Sequence, residues 1–233
     1  MTELVPRLRH ALIPAVPVPF RGSVLAADAQ RRYADWMAAQ PVAGVAVWAH
    51  TGRGPHLTAD QRVLVLETWR EALPDRIIVA GARDITMAIE ARRGRADALL
   101  AFPEAHDTVA HHRRLSRELP VIAFYLYEAA GGVAYDDATL DAILALPNVI
   151  GIKVATLDSV MTFQRIAALM RRHPDKLLIT GEDRFLGYSI MLGAGAALIG
   201  MGAAATGTQA ALLAAAAAGD WPRFVALSAA GDR

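Results

Sequence analysis

Cysteine is absent from this 233-residue chain. That excludes disulfides, iron–sulfur clusters, thiolate-bound zinc and a cysteine nucleophile. Lysine is nearly absent too: of 24 basic residues only Lys153 and Lys176 are lysines, and the other 22 are arginines. Neither sign of charge is in excess, with 24 Lys and Arg against 23 Asp and Glu. No basic face for nucleic acid is therefore expected. Long apolar runs are also missing. The most hydrophobic stretch, Gly193–Gly219, is broken by glycines and by Thr206, Thr208 and Gln209, so no membrane association is expected. The start, Met1–His10, carries charges and lacks the apolar run of a signal peptide, so a cytoplasmic location is expected.

What the chain does have is material for a core. Hydrophobic residues make up 54% and charged residues 20%, which excludes a disordered or fibrous chain. Eight short apolar runs punctuate the sequence: Ala11–Phe20, Gly44–Trp48, Ile77–Ala80, Ala98–Phe102, Val121–Leu126, Val149–Val154, Leu177–Thr180 and Ala196–Met201. Stretches of helical period lie between them, near 26–39, 59–73, 85–94, 107–118, 137–146, 158–172, 184–193 and 206–218. Thr58, with a Gln three positions on, and Asp158-Ser159 read as helix starts. Strands apolar on both faces suit a parallel sheet covered on both sides. Eight β–α units in about 200 residues predict an α/β fold of the (β/α)8 TIM-barrel type. A doubly wound sheet is the alternative, but the first β–α turn, Pro17–Arg21, lacks its glycine fingerprint. One domain over 1–233 is expected, with the barrel at about 10–218 and a short helical tail at 219–233.

In such barrels chemistry sits at the C-terminal ends of the strands. That divides the two lysines. Lys176 precedes its strand and is expected on the solvated surface. Lys153 ends the run Val149-Ile150-Gly151-Ile152 among apolar neighbours. Arg cannot shed its proton near neutral pH, whereas a desolvated Lys can, and a free amine attacks carbonyl carbon. The plain alternative is a lysine that snorkels its amine to the barrel mouth.

Asn148-Val149-Ile150-Gly151-Ile152-Lys153-Val154-Ala155 resembles the imine-forming strand of the dihydrodipicolinate synthase / N-acetylneuraminate lyase family. Four other stretches agree in order: Val18-Pro19-Phe20, Ala49–Thr58 (AHTGRGPHLT), Pro120–Gly132 and Thr180-Gly181-Glu182-Asp183. The resemblance spans about residues 10–220. It implies a class I aldolase or lyase that forms an imine with pyruvate or a related 2-keto acid. No cofactor or metal is then needed, and a homo-oligomer, dimer or tetramer, is expected. Lys153 matches the imine-forming lysine. Tyr125 matches the proton-relaying tyrosine when counted back from Lys153; counting forward from Pro120 gives Phe124 instead. Thr51 and the amide of Gly52 match the carboxylate site, and Gly181 and Leu198 the floor of the pocket.

The departures carry information as well. His50 replaces the first threonine of the family pair and is a candidate acid–base group, since its unperturbed pKa lies near working pH. Arg53 replaces a glutamate, and Arg53 or Arg184 is a candidate for a second anionic group. Glu104-Ala105 replaces the family's Tyr-Tyr, and Ala130 its carboxylate-binding Arg. The C-terminal helical extension is truncated. Together these argue against dihydrodipicolinate synthase activity itself. Three rivals stay open. Gly200–Gly207 reads as a glycine-rich turn into a helix and suggests a phosphate-binding barrel isomerase or aldolase. Glu182 and Asp183 suggest a metal-dependent lyase, although Asp183 also reads as a cap for the next helix. A catalytically degenerate keto-acid-binding barrel is the third. His106, His111 and His112 lack metal-ligand spacing and read as a solvated helix face.

Overall fold

The computed structural model describes residues 4–157 and 159–231. Part of the Met1–His10 reading and the Asp158 half of the Asp158-Ser159 signal lie outside the described residues. All eight expected strands form: β1 (Ala11–Pro14), β4 (Gly44–Val47), β5 (Ile77–Ala82), β6 (Ala98–Ala101), β7 (Val121–Leu126), β8 (Val149–Ala155), β9 (Leu177–Thr180) and β10 (Ala196–Ile199). They are all parallel, in the order β1-β10-β9-β8-β7-β6-β5-β4. A parallel bridge between Ala15 and Ala46 joins the two ends, with Val16 N–H donating to Ala46 O at 3.1 Å. The sheet is thus closed, and the doubly wound alternative fails. The run read as one strand over Ala11–Phe20 divides. Its tail joins a small antiparallel hairpin of β2 (Phe20–Arg21) and β3 (Val24–Leu25) at the mouth.

Every residue of the eight barrel strands is buried, because alternate side chains face two different cores. Ile13, Val79, Leu100, Phe124, Ile179 and Leu198 fill the barrel interior. Val45, Ile78, Leu99, Ile152, Val154 and Leu178 pack outward against the helices. The helical ring consists of α2 (Ala27–Ala38), α3 (Ala59–Ala72), α4 (Ile85–Arg93), α5 (Thr108–Leu115), α6 (Asp137–Leu144), α7 (Val160–Met170), α8 (Leu186–Met191) and α9 (Thr206–Ala218). Helix α3 starts with a full capping box between Thr58 and Gln61. Ser159 caps α7 through Thr162 N–H. Helix α1 (Leu4–Leu8) lies at the N-terminal end of the barrel, with Leu8 in the interior cluster. Helix α10 (Trp221–Gly231) packs on α9 and α8 through the buried Phe224.

Two surface expectations are overturned. The Lys176 side chain is only 10% exposed and sits against Asp175 at 3.3 Å, at the end of the barrel that α1 covers. Of the three histidines read as a solvated face, only His106 is exposed. His111 and His112 are buried, with ring centroids 5.3 Å apart, and neither Nε2 has a partner among the described residues. Burial lowers His112 to about 4, opposed by its Nδ1 contact with Thr108 O at 2.9 Å. A histidine held below its unfolded pKa of about 6.5 binds its proton only on unfolding. Its stabilisation is complete above pH 6.5 and is lost as pH falls toward 4. We expect stability to drop by about 2 kcal/mol between pH 7 and 5 from this group alone. Urea unfolding at both pH values checks it, and His112→Phe should flatten the interval.

Candidate active site

The C-terminal ends of β8 and β9 meet at Lys153. Its side chain points into the barrel, the same direction as Phe124, its neighbour in register on β7. Lys153 is 5% exposed, and its Nζ lies 4.3 Å from the centroid of the Phe124 ring. No carboxylate among the described residues forms an ion pair with it. Burial lowers its pKa from 10.5 to about 8, while Asp183 and then Glu182 pull it back up. A neutral fraction on the order of one-tenth is therefore available at pH 7. The alternative of a lysine stretched out to solvent does not hold.

Room for this amine is made by Gly181, which follows β9 and donates its N–H to Val154 O at 2.7 Å. A Cβ at position 181 would lie 2.6 Å from Lys153 Cε, 2.8 Å from Ala155 Cβ and 3.0 Å from Val154 O. Backbone and Ala155 cannot retreat, so the lysine must. Gly181→Ala is expected to slow any Lys153-dependent covalent reaction on the order of 10–100-fold, as a displacement of about 1 Å does. Borohydride trapping rates measure it, and an unchanged rate would mean that the amine does not use this space.

The structure places Tyr125 on the helix-facing side of its strand. Residues alternate along β7, so Ile122, Phe124 and Leu126 face the interior, and Ala123 and Tyr125 face the helices. Tyr125 packs edge-on to Tyr135 and accepts a long 3.5 Å contact from Arg165, whose other partners are Asp137 and Tyr135 O. It does not share a face with Lys153. Phe124, the match counted from Pro120, occupies the inward position, and it has no hydroxyl. The shift arises at Val121/Ile122, where the β7–β8 register slips by one residue.

The other candidates come from the segments that follow β4 and β9 and from β10. His50 is exposed after β4, and its pKa is lowered by burial and then by the charges of Lys153 and His56. Thr51 is exposed, with Oγ1 3.4 Å from where a Cβ of Gly200 would stand. Gly52 is buried against Val16 O. Arg53 is exposed in a left-handed turn with φ 53°. Leu198 is buried inside the barrel with Ile13 and Ile179. Arg184 is exposed on the rim.

Asp183 does cap a helical turn, but not the next one. Its Oδ1 accepts Met201 N–H at 2.9 Å and its Oδ2 accepts Gly200 N–H at 3.3 Å, ahead of the short 3-10 turn Met201–Ala203. Two of the amides that a phosphate would seek in this segment, those of Gly200 and Met201, are thus engaged by the protein's own carboxylate. Among the described residues no group of three or more His, Asp or Glu is placed to hold a metal ion. No helix among them is long and apolar enough to cross a membrane. A polar cavity of about 340 Å3 lies beyond the ends of β7 and β8, lined in part by Tyr125, Tyr127, Glu128, Thr156 and Ser159. Sequence reasoning offered Phe124 only as the alternative to Tyr125, and it missed the buried carboxylate of Glu182 as a hydrogen-bond hub.

No family profile matches the chain. It is similar to the 4-hydroxy-tetrahydrodipicolinate synthase of Ruegeria pomeroyi, 29% identical over 201 residues that cover 78% of this chain and 67% of that protein. A synthase of the same name from Sphingopyxis alaskensis is 28% identical over 233 residues, 92% of this chain and 78% of its own. Among solved structures, a monomeric dihydrodipicolinate synthase variant superposes with a TM-score of 0.87 at 18% identity, over 98% of this chain and 81% of that one. N-acetylneuraminate lyase from Mycoplasma synoviae gives 0.82 at 20% identity, over 97% and 80%. At those identities the two structures establish the barrel. With those relatives and a lysine-bearing strand end inside the barrel, the chain is similar to the dihydrodipicolinate synthase / N-acetylneuraminate lyase group of class I carbon–carbon lyases.

Proposed function

We propose that this protein forms an imine between Lys153 and the ketone of pyruvate or a related 2-keto acid, and uses it for aldol cleavage or condensation. The observation that carries this reading is the Lys153 amine, buried inside the barrel end, free of a carboxylate bridge and lowered to about 8. Neutral Lys153 attacks C2 of the keto acid, the carbinolamine loses water, and a protonated imine results. In the cleavage direction a base takes the C4 hydroxyl proton, the C3–C4 bond breaks, and its electron pair flows into the imine to give an enamine. The aldehyde departs. A proton at C3 and water at C2 then release the shortened keto acid and the free amine.

His50 is the group we assign to proton transfer. Its lowered pKa keeps it neutral at working pH, so that it accepts before it donates. Thr51 and the Gly52 amide take the keto-acid carboxylate, Arg53 a second anionic group, and Gly181 and Leu198 the pocket floor. No cofactor enters this scheme. The test is borohydride reduction in the presence of pyruvate and a panel of 2-keto acids, followed by peptide mapping. A reduced adduct at Lys153 is expected, and no adduct with any of them would sink the reading. Phe124 favours a second reading, a barrel that captures a keto acid and turns it over slowly or not at all. Adduct formation without aldehyde release would select it.

A further inference from the structure

We propose that Glu182 is a positioning residue of the imine-forming site: its carboxylate, clamped on the outer face of the barrel, fixes the turn that ends the Lys153 strand and presents a fixed negative charge to the amine. This rests on the imine reading of Lys153. Glu182 has no exposed surface, in a chain with few buried charges. Its Oε1 accepts Thr156 N–H at 2.5 Å and its Oε2 accepts Leu157 N–H at 2.8 Å. The Thr156 hydroxyl lies 2.9 Å from Oε1 and 3.0 Å from Ser159 O, sharing one proton between them.

These bonds fall on the two residues that follow β8, and Lys153 is three residues upstream of the first. Leu157 has φ 58°, a left-handed conformation that disfavours a branched apolar side chain and persists only where the surroundings enforce it. Glu182 N–H in turn donates to Thr180 Oγ1 at 3.1 Å, and Ser189 donates to the same hydroxyl at 2.8 Å. A chain of buried polar groups therefore anchors the carboxylate from behind. Its hydrogen bonds run to Thr156, Leu157 and Thr180, so it acts through the Lys153 strand rather than on substrate. A positive imine forms where the ammonium stood, and a nearby buried carboxylate favours it in a medium of low dielectric. The other charged or titratable groups acting on Lys153 are Asp183 and His50. Burial raises the Glu182 pKa, and its donors and Lys153 oppose that.

The test exploits the two lysines. Competitive labelling with acetic anhydride across pH, read by peptide mapping, gives the titration midpoint of Lys153 with Lys176 as internal control. Glu182→Gln should move the Lys153 midpoint down by about half a unit or more and leave Lys176 in place. Glu182→Asp, which keeps the charge, should hold the midpoint near wild type even though the melting temperature falls. An unmoved midpoint in Glu182→Gln, or a Gln-like fall in Glu182→Asp, overturns the proposal and leaves Glu182 a structural group. Should Glu182→Gln not fold, a fall of the Lys153 midpoint in Glu182→Asp still overturns the proposal. This measurement needs no keto acid. A wild-type chain that labels normally but traps no keto acid would defeat the imine reading, while the midpoints still judge Glu182.

Discussion

Lys153→Arg should abolish the borohydride-trapped adduct and lower turnover on the order of 10³-fold or more. Arginine keeps a positive charge at the same strand end but cannot lose its proton, so it cannot attack a ketone. The companion variant Lys153→Met separates chemistry from folding. It removes an amine that burial has pushed down to about 8 from 10.5. Such a lysine binds its proton more weakly folded than unfolded, so it destabilises the native state below pH 8, and the loss is relieved as pH rises through about 8 to 10.5. Lys153→Met should therefore be at least as stable as wild type at pH 7, and it should lose that alkaline gain. Denaturation curves at pH 7 and 10 check this. Adduct formation in the Arg variant would place the reactive amine elsewhere, and Lys176 is the one other lysine.

Phe124→Tyr is expected to accelerate turnover about 10–100-fold, and Tyr125→Phe to change it by less than about threefold. A positioned acid–base hydroxyl contributes in the range 10²–10⁴. The native ring at 124 already lies 4.3 Å from Lys153 Nζ, edge-on to Phe102. A hydroxyl added there supplies a proton relay beside the carbinolamine, a task we assign to His50 in the native chain. The Tyr125 hydroxyl faces Arg165 among the helices. Its loss should lower stability by under about 1 kcal/mol, the scale of one weak hydrogen bond. Steady-state rates of aldehyde release for the two variants suffice. Loss of activity in Tyr125→Phe alone would reverse the face assignment of β7.

That reversal of face shows where sequence reasoning stops. Counting back from Lys153 chose Tyr125, and counting forward from Pro120 chose Phe124. The two differ by one residue, and in a strand one residue exchanges interior for exterior. The deciding event is the register slip at Val121/Ile122, which depends on how β7 lies on β8 and leaves no local mark. His111 and His112 read as polar because they are polar, and only the packing of α5 buries them. Lys176 was expected in water because it precedes a strand, yet α1 covers that end of the barrel. Asp183 was assigned to the nearest helix, whereas it reaches a turn 18 residues on.

Local order was legible throughout. Alternating apolar runs and helical periods fixed eight strands and the helices between them, since burial on both faces of a strand is written in its own residues. The Thr58 capping box and the inward Lys153 at a strand end followed from short-range pattern in the same way. Tertiary structure alone decided which ring stands beside the amine, which carboxylate lies behind it and which polar side chains lose their water. Those outcomes depend on register and on elements far apart in the chain, where a shift of 3 Å along one strand changes every neighbour.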